Sequence, residues 1–441
     1  MQGRIIRGMS PTEILGRLRE SEGYYLCNNE RDVSQSDFKN RLMPMTTVRV
    51  APYREAAGFF SVEVSGGASV HVDLMRKQVN PFERLRIARK AMPLTLLQTV
   101  CRGSSLFGYR HYPENVIRLT VREFARYVDV WRVYDFLNHV PNLVPVMEEV
   151  QKASRLLMPS ICFSTGPEHT DRYYVDKVKE ILEVTGPEVI ISIKNYAGLG
   201  TPKRITQLVE SIGAAFPGLV LHYHGCNTDG NDIGRMSAAV LAGVKIVDVA
   251  DHGYGAIYGQ APALTLIQAL DDYGKKAVGV DIPSLIQSSD LLRQERKIYE
   301  PFESPFRGHD PTVAAYKLTG GAVGSAFEQA DKGGFLERLP EILKEMARVQ
   351  AELGNWWSVT PGSQIIWTTA VNNVLHGRYE RPSMDLKNLL LGRYGPLPFF
   401  KPNAWIYEKV LEYQRYDQKK WPQIVAAEGG IQKSGDADLK M

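Results

Sequence analysis

Short runs of β-branched and aromatic residues recur along the chain, each followed by a longer stretch in which apolar positions return at helical spacing. The strand-like runs are YYLCN (24–28), FFSVEV (59–64), LLQTVC (96–101), VWRVYD (130–135), SICFS (160–164), EVIISIK (188–194), LVLHYH (219–224) and KIVDVA (245–250). The patterns between them include PFERLRIARKAM (81–92) and DRYYVDKVKEILEVTG (171–186). Strands alternating with helices predict a parallel sheet, and eight such units in about 250 residues match a closed barrel better than an open doubly wound sheet. The expected fold is α/β, a (β/α)8 TIM barrel followed by a mostly helical C-terminal domain.

The strand rhythm stops near residue 290. Beyond it come ERLPEILKEMARVQAELG (337–354), TTAVNNVLHGRY (368–379) and DLKNLLLGRYG (385–395), broken by Pro and Gly at LPEIL, TPGSQ and YGPLP, a pattern of short helices joined by tight turns. At the other end SPTEILGRLRES begins with Ser10 as N-cap and Pro11 at the first helical position. The expected organisation is a helical extension over 1–20, the barrel over 21–290, a mostly helical domain over 291–425, and a loose polar tail over 426–441.

Composition narrows the function. With 441 residues, 44% hydrophobic and 23% charged, the chain can bury a large core. Its formal charge of +4 is spread without basic runs, so no nucleic-acid partner is expected and a small molecule is. No leader pattern or 18-residue apolar span is present, which predicts a cytoplasmic protein without a transmembrane segment. Cys27, Cys101, Cys162 and Cys226 lie far apart without a C-x-x-C pair, which argues against a disulfide framework or a structural zinc site.

The candidate chemistry sits where strands end, the face on which barrels of this type assemble active sites. Arg31 and Asp32 follow strand one, Gly66 and Gly67 strand two, Arg102 strand three, Asp135 strand four, Lys194 strand six, His222 and His224 strand seven, and Asp251 and His252 strand eight. Residues two apart on a strand face the same way, so His222 and His224 can offer two imidazoles to one cation, with Asp32 as a hard oxygen ligand. Such a mixed site accepts zinc, manganese or cobalt. Lys194 has two readings, an ordinary snorkelling lysine or a neutral amine converted by carbon dioxide to a ligating carbamate. Arg31 and Arg102 are fork-shaped cations suited to the carboxylate and developing enolate of a 2-oxoacid, or else partners of Asp135 or Glu63 in a structural ion pair. The Gly66–Gly67 pair lets backbone approach an anion closely or simply makes a turn.

Taken together, RDVSQS (31–36), EVSGGAS (63–69), NPFERLR (80–86), CRGSSLFGYRHY (101–112), RVYDFLN (132–138), IKNYAGLGTP (193–202), HYH (222–224) and VTPGSQIIWTTAVNNVLHGRY (359–379) resemble the carboxyltransferase family of biotin-dependent enzymes over about residues 22–400. That family includes the carboxyltransferase domain of pyruvate carboxylase, the pyruvate-handling transcarboxylase subunit and the oxaloacetate decarboxylase alpha subunit. The resemblance implies a metal held by Asp32, carbamylated Lys194, His222 and His224, with Arg31, Gln35 and Arg102 handling the 2-oxoacid and its enolate. It further implies transfer of a carboxyl group between carboxybiotin and a pyruvate- or oxaloacetate-like substrate, in a homodimer. No biotin-carrier domain follows the barrel, so biotin is expected on a separate carrier protein that works with a biotin carboxylase subunit.

The chain departs from the family pattern at several places. LTGGAVGSAF (318–327) carries Gly324 where the family has its proton-shuttling hydroxyl, with Ser325 one residue on. Cys27–Glu30 precede Arg31, Ser34 replaces a His, Asn195 replaces an Asp, and the segments GCNTDG (225–230) and DHGYGAIYGQAP (251–262) are altered. These changes imply a modified pocket, or a shuttle moved to Ser325, Tyr254, Tyr258 or His252. A metal-dependent lyase or aldolase of the same barrel superfamily and a noncatalytic carboxylase subunit are the alternative readings.

Overall fold

The computed structural model describes residues 3–254, 257–303, 308–312, 317, 320–357, 359–397, 399 and 404–411. Eight parallel strands close into a barrel in sequence order: β1 (Tyr25–Asn28), β2 (Ser61–Gly66), β3 (Leu96–Cys101), β4 (Val130–Val133), β5 (Leu156–Cys162), β6 (Ile190–Lys194), β7 (Val220–His224) and β8 (Ile246–Val249). Closure pairs Tyr25 with Ile246 and Asn28 with Val249. All eight expected strands are present and the fold class is the expected one. β5 starts four residues before the expected boundary, because Pro159, normally a strand breaker, is taken into the strand opposite Val133. The ladder to β6 begins only at Ser160, so the missing proline N–H interrupts nothing on that side.

Side chains alternate along each strand. Leu26, Val62, Leu97, Trp131, Leu157, Ile191, Leu221 and Val247 belong to the main core beneath the surrounding helices. The alternate set fills the barrel in layers. At the N-terminal end Tyr25, Phe60, Leu96, Val130, Leu156, Ile190, Val220 and Ile246 form an apolar floor, plugged from below by Ile14, Leu15 and Leu18 of the helix Pro11–Glu20. That helix starts in a capping box: Glu13 N–H donates to Ser10 Oγ (3.2 Å) and Ser10 N–H to the Glu13 carboxylate (2.7 Å). Above the floor lies an ionic layer of Glu63, Gln98, Arg132, His222 and Asp248, all wholly buried.

Position 290 falls inside the helix Ile282–Tyr299, which packs on the helix Pro44–Ala57 through Thr46 and Tyr299 (2.6 Å between hydroxyls). Further along are helices Gly320–Lys332, Leu339–Glu352, Gly362–His376, Met384–Leu390 and Ala404–Leu411. The turn before Gly362 lies against the barrel, where a Cβ would come within 2.4 Å of Trp356 and 2.9 Å of Phe136, so only glycine permits this approach. Val359 and Thr360 thereby reach the top of the barrel. The expected tail over 426–441 lies outside the described residues. Among the described residues no helix is long and apolar enough to cross a membrane.

Candidate active site

The helix Glu30–Phe38 begins directly after β1 and carries Arg31, Asp32 and Gln35. Its first turn is anchored twice: the Asp32 N–H donates to Asn29 Oδ1 (3.2 Å), and Asn29 Nδ2 donates to Asp248 of β8 (2.9 Å). The altered residues before Arg31 are thus structural. Glu30 pairs with buried Arg54 and accepts from Thr47, while Asn28 donates to Asp251 (2.7 Å), itself paired with Arg54 (2.7 Å).

Asp32 is held by both oxygens. Arg31 Nη1 donates to Oδ1 (2.7 Å) and Gln260 Nε2 to Oδ2 (2.7 Å). Burial raises the carboxyl pKa, but Arg31, His224, Lys194 and the Gln260 hydrogen bond together outweigh it and leave the group well below the usual carboxylate range. The loop carrying Gln260 is fastened to the same helix by Asp37, whose carboxylate accepts the N–H groups of Tyr258 (3.1 Å) and Gly259 (3.2 Å). Burial pushes Asp37 up to about 7. A raised carboxyl pKa means that the folded state holds the proton more tightly, so this stabilisation is complete below pH 3.8 and is lost as pH rises through about 7. Asp37→Asn is therefore expected to flatten the dependence of unfolding free energy on pH between about 4 and 7, by up to about 1.4 kcal/mol per pH unit relative to wild type. Urea titrations of both proteins at several pH values check this.

Lys194 at the end of β6 and His224 at the end of β7 are register partners, with Nζ 3.1 Å from Nε2. His224 Nε2 lies 3.6 Å from Asp32 Oδ2. Its other nitrogen, Nδ1, meets Asp248 Oδ2 at 2.6 Å, an arrangement that places the proton on Nδ1 and aims the Nε2 lone pair at Lys194 and Asp32. Burial, with Lys194 and Arg132 next, lowers His224 to about 3, so the ring is neutral. Burial, with Arg132 next, also lowers the Lys194 amine. Lys194 Nζ rests over the Tyr134 ring, 5.1 Å from its centroid. A carboxylate, a neutral imidazole and a lysine tuned toward the free amine converge on one point, a donor set that fits a divalent cation.

His222 is not at that point. It lies one layer deeper, where Nε2 meets Asp248 Oδ1 (2.9 Å) and Nδ1 meets Ser192 Oγ (2.9 Å). Two residues along a strand are about 6.6 Å apart, enough to put two imidazoles on one wall but in different layers.

Arg102 is 5% exposed and makes no carboxylate ion pair among the described residues. Its Nη1 donates to the Gly108 carbonyl (2.8 Å), and the guanidinium lies 5.0 Å from the Tyr109 ring centroid. Arg31, by contrast, is tied to Glu63 (2.5 Å) as well as Asp32 and donates to Gln35 Oε1 (2.9 Å). Gly66 makes room for Val100 and Arg31, since a Cβ there would lie 2.4 Å from Val100 Cγ1 and 3.1 Å from Arg31 Cδ, and Gly67 makes room for Arg102, a Cβ there falling 2.5 Å from its Cζ. The Gly66 N–H is occupied by Ser69 Oγ (3.0 Å). Gly67→Ala is expected to displace the Arg102 guanidinium without unfolding the chain. Weakening one charge-assisted hydrogen bond, at about 1.5 kcal/mol, should raise KM for the anionic substrate roughly tenfold with kcat little changed. Steady-state kinetics beside a melting curve separate the two effects.

An inner chamber of about 50 Å³ is walled by Arg31, Asp32, Gln35, Arg102, Tyr134, Lys194, His224, Cys226 and Thr360. An outer chamber of about 310 Å³ shares Gln35, Arg102 and Thr360 with it and is completed by His71, Arg76, Tyr109, Glu328, Gln364 and Trp367. The inner chamber can hold a cation and a small anion, and the outer one a larger group brought from solution.

Asp135 does not face this site. Its carboxylate accepts the N–H groups of Leu137 (2.9 Å) and His139 (3.0 Å) and the Asn142 amide (3.0 Å), closing the loop after β4. Ser325 falls in the helix Gly320–Lys332, and its side chain lies outside the described residues. His252, Tyr254 and Tyr258 line neither chamber, and Tyr254 packs against Phe38.

Residues 313–428 match the family model described as the conserved carboxylase domain. Over 371 residues the chain is 31% identical to a pyruvate carboxylase subunit of Methanocaldococcus jannaschii, covering 83% of this chain and 65% of that one. It is also 31% identical over 372 residues to the methylmalonyl-CoA carboxyltransferase 5S subunit of Propionibacterium freudenreichii subsp. shermanii, covering 83% and 72%. The chain belongs to the biotin-dependent carboxyltransferase family. The chain also superposes on the carboxyl transferase domain of Rhizobium etli pyruvate carboxylase, solved with pyruvate and biocytin, with TM-score 0.85, 27% identity and coverage of 91% of this chain and 70% of that one. The chain spans about two thirds of the length of the archaeal relative. Membership of this family favours carboxyl transfer over the lyase reading.

Sequence reasoning alone does not single out Arg132, Asp248, Gln260, Cys226 or Thr360 as parts of this site. The first two had a signal, a charge at alternate positions of otherwise apolar strands, in VWRV and IVDV. Gln260 meets Asp32 across 228 residues and leaves no local mark.

Proposed function

We propose that this carboxyltransferase is one component of a multi-subunit enzyme and moves a carboxyl group between carboxybiotin and a pyruvate- or oxaloacetate-like 2-oxoacid. The observation that carries the reading is the placement of Arg102, a buried guanidinium with no carboxylate partner among the described residues, in the same small chamber as Asp32, Lys194 and His224. A buried unpaired cation is costly unless an anion completes it. The substrate carboxylate is that anion.

Asp32, His224 and Lys194 as its carbamate would hold a divalent cation, with His222 supporting from below. That cation, whether zinc, manganese or cobalt, supplies Lewis acidity toward the 2-oxo oxygen. Arg102 binds and orients the carboxylate through charge-assisted hydrogen bonds. Arg31, fixed by Glu63, adds positive potential where negative charge develops, and Gln35 fixes its direction. Val100, Tyr134 and Val359 keep bulk water out of the inner chamber. The outer chamber is sized for the biotin ring delivered by a separate carrier protein, which a biotin carboxylase subunit recharges, and the assembly is built on a homodimer. Thr360, which lines both chambers and whose hydroxyl lies 3.4 Å from Ser363 Oγ, is the hydroxyl placed to pass a proton between the two, in preference to Tyr254, Tyr258 or His252.

The substrate reading is tested by measuring oxaloacetate decarboxylation by wild type and Arg102→Lys, with free biotin present. A lysine cannot reproduce the fork, so KM for oxaloacetate should rise about tenfold or more. Unchanged KM in the lysine variant would remove Arg102 from substrate binding.

A further inference from the structure

The altered segment after β8 puts Tyr254 and Tyr258 into neither chamber, yet it delivers one side chain to Asp32. Gln260 is wholly buried, and its Nε2 donates both to Asp32 Oδ2 (2.7 Å) and to the Gly225 carbonyl (3.0 Å). Two acceptors on one nitrogen fix which way the amide is turned. The other end of the amide gains nothing from this orientation, since Oε1 is buried without a hydrogen-bond partner among the described residues. An unsatisfied buried acceptor is destabilising, so packing alone does not account for this side chain. The backbone that carries it is fixed from three sides. Asp37 accepts the Tyr258 and Gly259 N–H groups, the Asn227 N–H donates to the Gly259 carbonyl (2.8 Å), and the Ala250 N–H donates to the Ala261 carbonyl (3.0 Å). The loop lies so close to the helix Glu30–Phe38 that a Cβ on Gly259 would fall 3.0 Å from Val33 Cγ2.

We infer that Gln260 is a positioning residue for the Asp32 carboxylate, and that Asp37 anchors the loop that presents it. This rests on the carboxyltransferase reading, in which Asp32 helps to hold the cation. Arg31 Nη1 already occupies Oδ1. With no donor on Oδ2, the carboxylate is free to swing its second oxygen onto the same guanidinium, in the two-pronged arrangement that such pairs favour. Gln260 prevents this and keeps Oδ2 on the side of His224, whose Nε2 is 3.6 Å away. Gln260 does not line the inner chamber, so it acts through Asp32 and not on the substrate.

The test uses the full chain, stripped of metal and titrated with zinc, as wild type and as Gln260→Leu, which has a side chain of similar size and no donor. Zinc affinity should fall about 10–100-fold, the loss typical when a ligating carboxylate is deprived of its hydrogen-bond partner. In oxaloacetate decarboxylation with free biotin at limiting zinc, kcat should fall in step and excess zinc should restore most of it. KM for oxaloacetate should stay within about twofold, because Arg102 is untouched. Asp37→Ala removes neither Asp32 nor Gln260 and should weaken zinc binding in the same direction by about threefold or more, which keeps the test available if Gln260→Leu does not fold. Zinc affinity unchanged in both variants, or a raised KM with kcat unchanged, would overturn the assignment and leave the carboxyltransferase reading standing. A wild-type chain that binds none of zinc, manganese and cobalt would overturn both.

Discussion

Lys194→Ala is expected to abolish carboxyl transfer while leaving the fold as stable as before or slightly more so. The amine is buried, and Arg132 and Arg31 stand near enough to lower its pKa alongside the cost of burial. Removing it relieves repulsion among cations rather than breaking a carboxylate ion pair. Activity should respond in the opposite direction, because losing the lysine removes a ligand from the cation. Lewis-acid stabilisation is worth several kcal/mol, and each 1.36 kcal/mol is tenfold, so kcat should fall by about 10³ or more. Metal analysis should show loss of bound metal in the variant, and thermal melting should show no fall. A variant that keeps both its metal and its activity would mean that Lys194 is a snorkelling lysine and not a ligand.

Arg132→Met should have the largest effect on stability. Arg132 crosses the interior of the barrel from β4, pairing with Glu63 of β2 (2.5 Å) and with Asp248 of β8, and none of the three is exposed. Asp248 in turn holds both histidines of β7. Replacing the arginine by a side chain of similar length leaves two carboxylates in a dry interior with one cationic partner fewer, which typically costs about 3–5 kcal/mol. Urea denaturation should show a lower midpoint with an unchanged slope, since the surface exposed on unfolding is the same. A loss below about 1 kcal/mol would mean that Arg31 and the histidines neutralise the layer without it.

The barrel was legible because its local rules agree. Period-two strands alternate with helical patterns, Ser10, Pro11 and Glu13 announce the first helix, and polar residues cluster at the strand ends. Strand-end position picked out Asp32, Lys194, Arg102 and His224, which the structure brings around one chamber, but could not tell such a residue from a loop cap. Asp135 satisfies the same rule and spends its carboxylate on the backbone of its own loop. Glycines were ambiguous for a related reason. Gly66 is required by the bulk of Val100 and Arg31 and Gly67 by that of Arg102, and that crowding exists only after the first strands of the barrel have been brought together. The ionic layer could not be assembled from the sequence: its charges stand out in otherwise apolar strands, but Arg132 finds Glu63 and Asp248 across as many as 116 residues. Period alone placed His222 beside His224. Only the three-dimensional register, with Ser192 opposite one and Lys194 opposite the other, separates them.

The most direct test of the central claim is release of pyruvate from oxaloacetate by the purified, metal-assayed chain, with and without biotin, for wild type and Lys194→Ala. A carboxyltransferase whose cation is held by Asp32, Lys194 and His224 should show biotin-stimulated release that the variant loses. Release that ignores biotin, or that persists undiminished in Lys194→Ala, would contradict the account.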